Sequence, residues 1–216
     1  MKIFVFDTET TGLPTERNAQ AIATKKWPYI VQLSYILYDT DEHVVVDYSD
    51  NIIKLPENVK ITPGSQNIHN ISDEMSQTKG VEINPLLIEF NKTILLADVI
   101  IAHNISFDKN MIMVECYRND ITQNFIGNKI KGKQFCTMKN SINICKIVKH
   151  NKYGNQYYKY PKLLELYQIL FDETPKGLHN SMVDILACLR CYGKMELDLD
   201  FNETSQTLLM LNNMYS

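Results

Sequence analysis

The sequence predicts one α/β domain, a mixed sheet with helices on its faces. Three observations lead there. The first third is rich in alternating β-forming residues, the remainder carries helical periodicity around two short apolar strands, and no internal repeat or long low-complexity linker interrupts the order. A chain of 216 residues, 44% hydrophobic and 22% charged, builds one such core with little room for a second.

Residues 2–7 place Ile3 and Val5 on one face and Phe4 and Phe6 on the other, the pattern of a buried strand. Residues 14–28, with two prolines, read as a loop. Strands are expected over Ile30–Tyr38 and His43–Ile53, turned by Asp39–Glu42, so that the first three form an antiparallel meander. A short helix is expected over Ser72–Lys79 from its serine cap and acidic first turn, and a longer one over Asn84–Ala97, opened by Pro85. Val99–Ala102 is a short apolar strand, followed by a helix from about Ser106 to Arg118 and a last short strand at Gln134–Cys136. Helices are then expected over Thr137–Val148, Pro161–Leu170 and Ser181–Met195. Lys146–Tyr160 is the loosest stretch and reads as an insertion. The division is a domain over 1–196 and a C-terminal tail over 197–216.

No apolar run reaches 18 residues, so no membrane span is expected. The N-terminus lacks the long apolar region and small-residue cleavage site of a secretory signal, which leads to the expectation of a cytoplasmic protein. Five scattered cysteines fit reduced thiols. Cys188 and Cys191 have zinc-like spacing, but no second Cys/His pair stands at finger distance, and both suit the core side of a helix.

The net charge of −3 hides an uneven distribution. Nine lysines and no acid lie between Lys129 and Lys162, which leaves 13 Lys+Arg against 25 Asp+Glu elsewhere. A segregated basic stretch is either a solvated surface or the footprint of a polyanion.

Three segments carry chemistry. In Asp7-Thr8-Glu9, strand alternation sends both carboxylates to one side. Two like charges at the end of a buried strand repel and lose hydration, a penalty that a divalent cation removes. In Ala102-His103-Asn104-Ile105-Ser106-Phe107-Asp108, a strand runs into a helix with Asp108 in its first turn. The helix dipole accounts for an aspartate there, but not for His103 and Asn104 crowding the same turn. In His179-Asn180-Ser181-Met182-Val183-Asp184, Asn180 or Ser181 caps a helix, Asp184 lies among apolar neighbours, and His179 sits on the preceding loop.

These segments resemble the three motifs of the DEDDh, or DnaQ-like, 3′–5′ exonuclease family, which includes the epsilon proofreading subunit of bacterial DNA polymerase III and the mammalian three-prime repair exonucleases. Phe6–Leu13 matches the first, Ala102–Asp108 the second and Leu178–Asp184 the third, and the resemblance runs from about residue 2 to 195. It implies an RNase H-like fold with a mixed five-stranded sheet and helices on both faces. It also implies that Asp7, Glu9, Asp108 and Asp184 hold two Mg²⁺ or Mn²⁺ ions, whose four positive charges match four carboxylates. His179 is then the general base, a task for which a neutral imidazole is suited. The implied product is a nucleoside 5′-monophosphate. One departure stands out: Asn70 follows His69 where many relatives have His-Gly, which puts a substrate contact by His69 in doubt.

By the same resemblance, Thr10, Gly12 and Leu13 hold the terminal nucleotide, with Leu13 wedged against the last base and Phe107 packed beneath it. His103 and Asn104 are candidates for the phosphate or sugar. Core packing is the alternative for Leu13 and Phe107. The basic segment with Tyr153, Tyr157, Tyr158 and Tyr160 combines phosphate attraction with stacking surface, and its alternatives are a homodimer or partner surface. The expected substrate is single-stranded DNA or a DNA 3′ end. An exoribonuclease on the same catalytic set is the second reading, and a non-catalytic binding module the third.

Overall fold

The computed structural model describes residues 1–127 and 129–215, so Ser216, the end of the expected tail, lies outside the described residues. The alternation in Lys2–Thr10 (β1) buries both its faces and puts it at the centre of a five-stranded sheet. Ile30–Asp39 (β2) pairs antiparallel with β1, and Val44–Ile52 (β3) antiparallel with β2, as the meander predicted. Val99–Ala102 (β4) lies parallel to β1 on its other side, and Lys133–Cys136 (β5) parallel to β4. The order is β3-β2-β1-β4-β5.

Pro63–His69 (α1), Asp73–Lys79 (α2) and Ile83–Thr93 (α3) link β3 to β4, and Ile105–Arg118 (α4) links β4 to β5. Phe4 and Phe6 pack with Leu87 and Phe90 of α3 and Met111 and Ile112 of α4. The Phe90 ring stands edge-on to Phe4 at 5.1 Å and to Phe6 at 5.3 Å, an arrangement that adds about 0.5–1.5 kcal/mol per pair beyond simple burial. The opposite face carries Ile3, Val5 and Ile101 against Met182, Ile185 and Leu189 of Ser181–Tyr192 (α8). Helices therefore cover both faces.

The C-terminal segment belongs to this second layer. Beyond α8 the chain widens into a π-type turn over Gly193–Leu197, then forms Phe201–Thr204 (α9) and Gln206–Tyr215 (α10). Phe201, Leu208 and Leu211 are buried on the Ile3/Val5 face. Gly193 makes room for this, since a Cβ there would lie 2.8 Å from the Phe201 ring.

Several local expectations change. Helix α1 was not foreseen, although Thr62 caps it, Pro63 occupies its first turn and Asn70 ends it in the left-handed region at φ 60°. The helix expected over Thr137–Val148 is two single turns, Thr137–Asn140 (α5) and Ile142–Cys145 (α6), stopped by Lys146 at φ 48°. The loose insertion is a β-hairpin, Val148–His150 (β6) with Gln156–Tyr158 (β7), turned at Gly154. The helix expected from Pro161 starts at Leu163 and runs to Phe171 (α7), because the Glu165 carboxylate accepts the Lys162 N–H at 2.7 Å and caps it there.

An anchor that periodicity does not reveal fixes the long excursion between β1 and β2. The largely covered Arg118 guanidinium donates to the carbonyls of Thr24, Trp27 and Pro28 and to Glu115, and lies 3.8 Å over the Tyr29 ring. Glu115 also accepts the Ile30 N–H at 3.3 Å.

Candidate active site

Asp7 and Glu9 lie at the carboxyl end of β1, opposite Ser34 and Gln32 of β2. The parallel strand β4 ends beside them at Ala102. There the chain turns through His103 and Asn104, with Asn104 at φ 74°, and enters α4. That turn aims Asp108 back at β1. Its carboxylate is 3% exposed and accepts the Thr8 hydroxyl at 2.8 Å and the Thr8 N–H at 3.2 Å.

The third segment arrives from α8. The Asn180 side chain accepts the N–H groups of Met182 and Val183, an N-cap worth about 1 kcal/mol. His179, immediately before it, is left-handed at φ 72°, and its N–H donates to Asp184 at 3.3 Å. The strained turn folds the histidine back over its own helix. Ligand atoms of Glu9, His179 and Asp184 consequently lie within 4.8 Å of one another.

Electrostatics tie the four acids into one group. Burial pushes the Asp7 carboxyl well above the usual range, and the charges of Asp108, Asp184 and Glu9 push it further. Glu9 is raised to about 8 by burial and then by Asp184 and Asp108. Burial raises Asp108 to about 7 against the opposing Thr8 hydrogen bonds, and raises Asp184 to about 7 against the His179 N–H. Protein groups alone do not stabilise four negative charges here. Oxygen donors with that unmet charge fit hard divalent cations.

Two cavities flank the acids. One, of about 530 Å³, is lined by Glu9, Thr10, Gly12, Leu13, His69 and Phe107 among others. It brings together four of the residues singled out for the terminal nucleotide. Leu13 is 81% exposed at its edge, so core packing does not explain it. The Thr10 hydroxyl is taken by the Gly12 carbonyl at 2.7 Å and holds the shape of this loop. Helix α1 supplies Ser65 and Ile68 to the wall, and its cap residue Thr62 lies there too. The Thr62-Pro63 start signal would have found it. His69 is buried and lines this cavity, its Nδ1 accepting the Ile71 N–H at 3.0 Å. Asn70 adopts the left-handed conformation that favours glycine, so the His-Asn departure keeps the backbone turn.

The second cavity, of about 700 Å³, is lined by Asp7, His103, Asn104, Tyr160, His179 and Asp184 among others. His103 faces it with both ring nitrogens engaged, Nδ1 with Thr137 Oγ1 at 2.9 Å and Nε2 with the Pro161 carbonyl at 3.2 Å. Burial lowers its pKa to about 4, so the ring is neutral, Nε2 donates to Pro161 and Nδ1 accepts from Thr137. His103 thus serves as a brace across three segments, with no ring nitrogen left for a phosphate. Asn104 is turned to its own helix, accepting the Ser106 hydroxyl at 3.2 Å.

An RNase T family model described as "Exonuclease" matches residues 4–192. Among solved structures, Escherichia coli exonuclease I in complex with a dT13 oligonucleotide superposes with a TM-score of 0.67 at 16% identity, covering 97% of this chain and 45% of that one. Its complex with a dA16 oligonucleotide gives the same values. The zinc-bound form of the E. coli ExoI–ssDNA complex gives 0.66 at 16% identity, over 94% of this chain and 42% of that one. The likeness is one of fold, and the chain spans less than half the length of those proteins. No curated protein sequence matches it.

Proposed function

The chain belongs to the RNase T exonuclease family, and on that premise we propose that it hydrolyses the terminal phosphodiester bond of single-stranded DNA in the 3′–5′ direction, releasing nucleoside 5′-monophosphates. The observation that carries this reading is the convergence of Asp7, Glu9, Asp108 and Asp184 with His179 between two cavities. The dT13 and dA16 strands held by structures of the same fold support DNA as the substrate.

The four carboxylates would hold two Mg²⁺ or Mn²⁺ ions. When bound, such ions supply an activated water and neutralise charge on the leaving oxygen. The remaining work falls to the protein. The loop from Thr10 to Leu13, with Phe107, receives the terminal nucleoside in the smaller cavity. The Thr8 hydrogen bonds and the His179 N–H orient Asp108 and Asp184. His179 takes the proton of the attacking water, and its left-handed turn holds the ring beside Glu9 and Asp184 for that purpose.

Digestion of 5′-labelled DNA and RNA oligonucleotides of one sequence tests this. A DNA ladder that shortens from the 3′ end with Mg²⁺, releases 5′-monophosphates and disappears in Asp7→Asn is the expected result. Faster digestion of the RNA reassigns the substrate. Undiminished hydrolysis in both Asp7→Asn and His179→Ala removes the catalytic assignment.

A further inference from the structure

The basic segment, loose in sequence, is an ordered element with a defined address. Pairing sets Lys149 opposite Tyr157, Val148 opposite Tyr158 and His150 opposite Gln156. Side chains alternate across a hairpin, so Lys149 and Tyr157 share one face, and Val148, Tyr158, His150 and Gln156 the other. Tyr153, Tyr157, Tyr158 and Tyr160 are all exposed, Tyr153 at 76%, which leaves a cluster of aromatic surface in water.

The base of the hairpin is fixed. Lys159 turns inward and donates to both Glu165 oxygens on α7, and the Pro161 carbonyl accepts from His103. Lys159 is the one hairpin lysine in an ion pair among the described residues. Lys146, Lys149 and Lys152 are exposed, in a stretch without a single acid. Tyr160, Pro161 and Lys162 continue from the hairpin into the wall of the cavity that holds Asp7, His179 and Asp184. A merely solvated loop needs neither the absence of acids nor this continuity.

We propose that the hairpin and the strap Tyr160–Lys162 form a second nucleic-acid subsite, which holds the single strand a few nucleotides away from the scissile bond. The lysines meet phosphates, and the exposed rings give sequence-tolerant stacking surface. This deepens the exonuclease reading and rests on it for the direction in which the strand runs.

The test measures binding by fluorescence anisotropy of 5′-labelled dT20 and dT3, with Ca²⁺ in place of Mg²⁺, so that hydrolysis is not the readout. The variants are Lys149→Ser/Lys152→Ser and Tyr157→Ser/Tyr158→Ser, all at exposed positions where little stability is at stake. The expected result is about tenfold or greater loss of dT20 affinity in the tyrosine variant. In the lysine variant the slope of log affinity against log salt should flatten by about 1.4. With the hairpin contacting nucleotides beyond the first few, binding of dT3 should change less than about threefold. Unchanged dT20 affinity and slope, or a parent protein that does not bind dT20, overturns the proposal. So does intact dT20 binding with a change from dimer to monomer in sedimentation, which would make the hairpin a contact between copies. A parent that binds dT20 through the hairpin yet never cleaves it would sink the exonuclease reading and leave the subsite standing.

Discussion

The side-chain carbonyl of Gln32 accepts the backbone N–H of Ser181 at 3.2 Å, joining the second strand of the sheet to the helix that carries Asp184. Gln32 Nε2 and the Ser34 hydroxyl both donate to Asp50, at 2.8 and 2.7 Å, and the Ser34 and Ser181 hydroxyls are hydrogen-bonded to each other. Gln32, Ser34 and Ser181 are buried.

Gln32→Leu should therefore leave the Ser181 N–H without a partner, at a cost of about 1–3 kcal/mol. Because the same bond fixes the start of α8, beside His179, kcat should fall more than KM rises. Calorimetry and steady-state kinetics check the two effects. A loss of stability with unaltered kcat would confine this contact to folding.

Asp184→Asn should abolish hydrolysis, beyond the roughly 10–100-fold loss typical of groups one step removed from a metal. The same variant should stabilise the metal-free protein at pH 8, because it removes one of the charges that crowd Asp7 and Glu9. Activity assays and melting in EDTA check both halves.

The raised carboxyls give the metal-free protein a characteristic pH response. Glu9, Asp108 and Asp184 hold their protons to about 8, 7 and 7 when folded, well above their ordinary values near 4. The unfolded chain releases these protons first. Stability is thus complete below pH 4 for these groups and is lost progressively as pH rises to about 8. Melting temperature in EDTA should fall across that window, and Mg²⁺ should raise it more at pH 8 than at pH 5. Equal Mg²⁺ effects at both pH values would contradict the fit between these acids and cations.

Arg118→Ala should destabilise the protein by about 3–5 kcal/mol, since it strands the buried Glu115 and frees three carbonyls. Arg118→Ala/Glu115→Gln should recover part of the loss, because the orphaned charge is then gone. Urea denaturation of both variants measures the difference.

Period and spacing were sufficient for the sheet, because Ile3/Val5 and Phe4/Phe6 can be satisfied only by layers on both sides. Alternation put Asp7 and Glu9 on one side of their strand, but no spacing within one element brings Asp108 or Asp184 to them, and that grouping was legible only through the resemblance of the three motifs. What stayed hidden depends on contacts distant in sequence. The engagement of His103 with Thr137 and Pro161, 34 and 58 residues away, carries no local signature. The hairpin at Val148–Tyr158 is too short for periodicity to register, and the Arg118 anchor reaches back 90 residues or more to carbonyls that any residue could supply.

Covering of the Ile3/Val5 face of β1 by Met182, Ile185 and Leu189 of α8 has a consequence for synthesis. The strand is made long before the helix that covers this side of it. At roughly 5–20 residues per second, that face waits on the order of ten seconds or more on the ribosome. The growing chain is a natural client for holding chaperones throughout that interval, and translation halted before Ser181 would release a sticky intermediate.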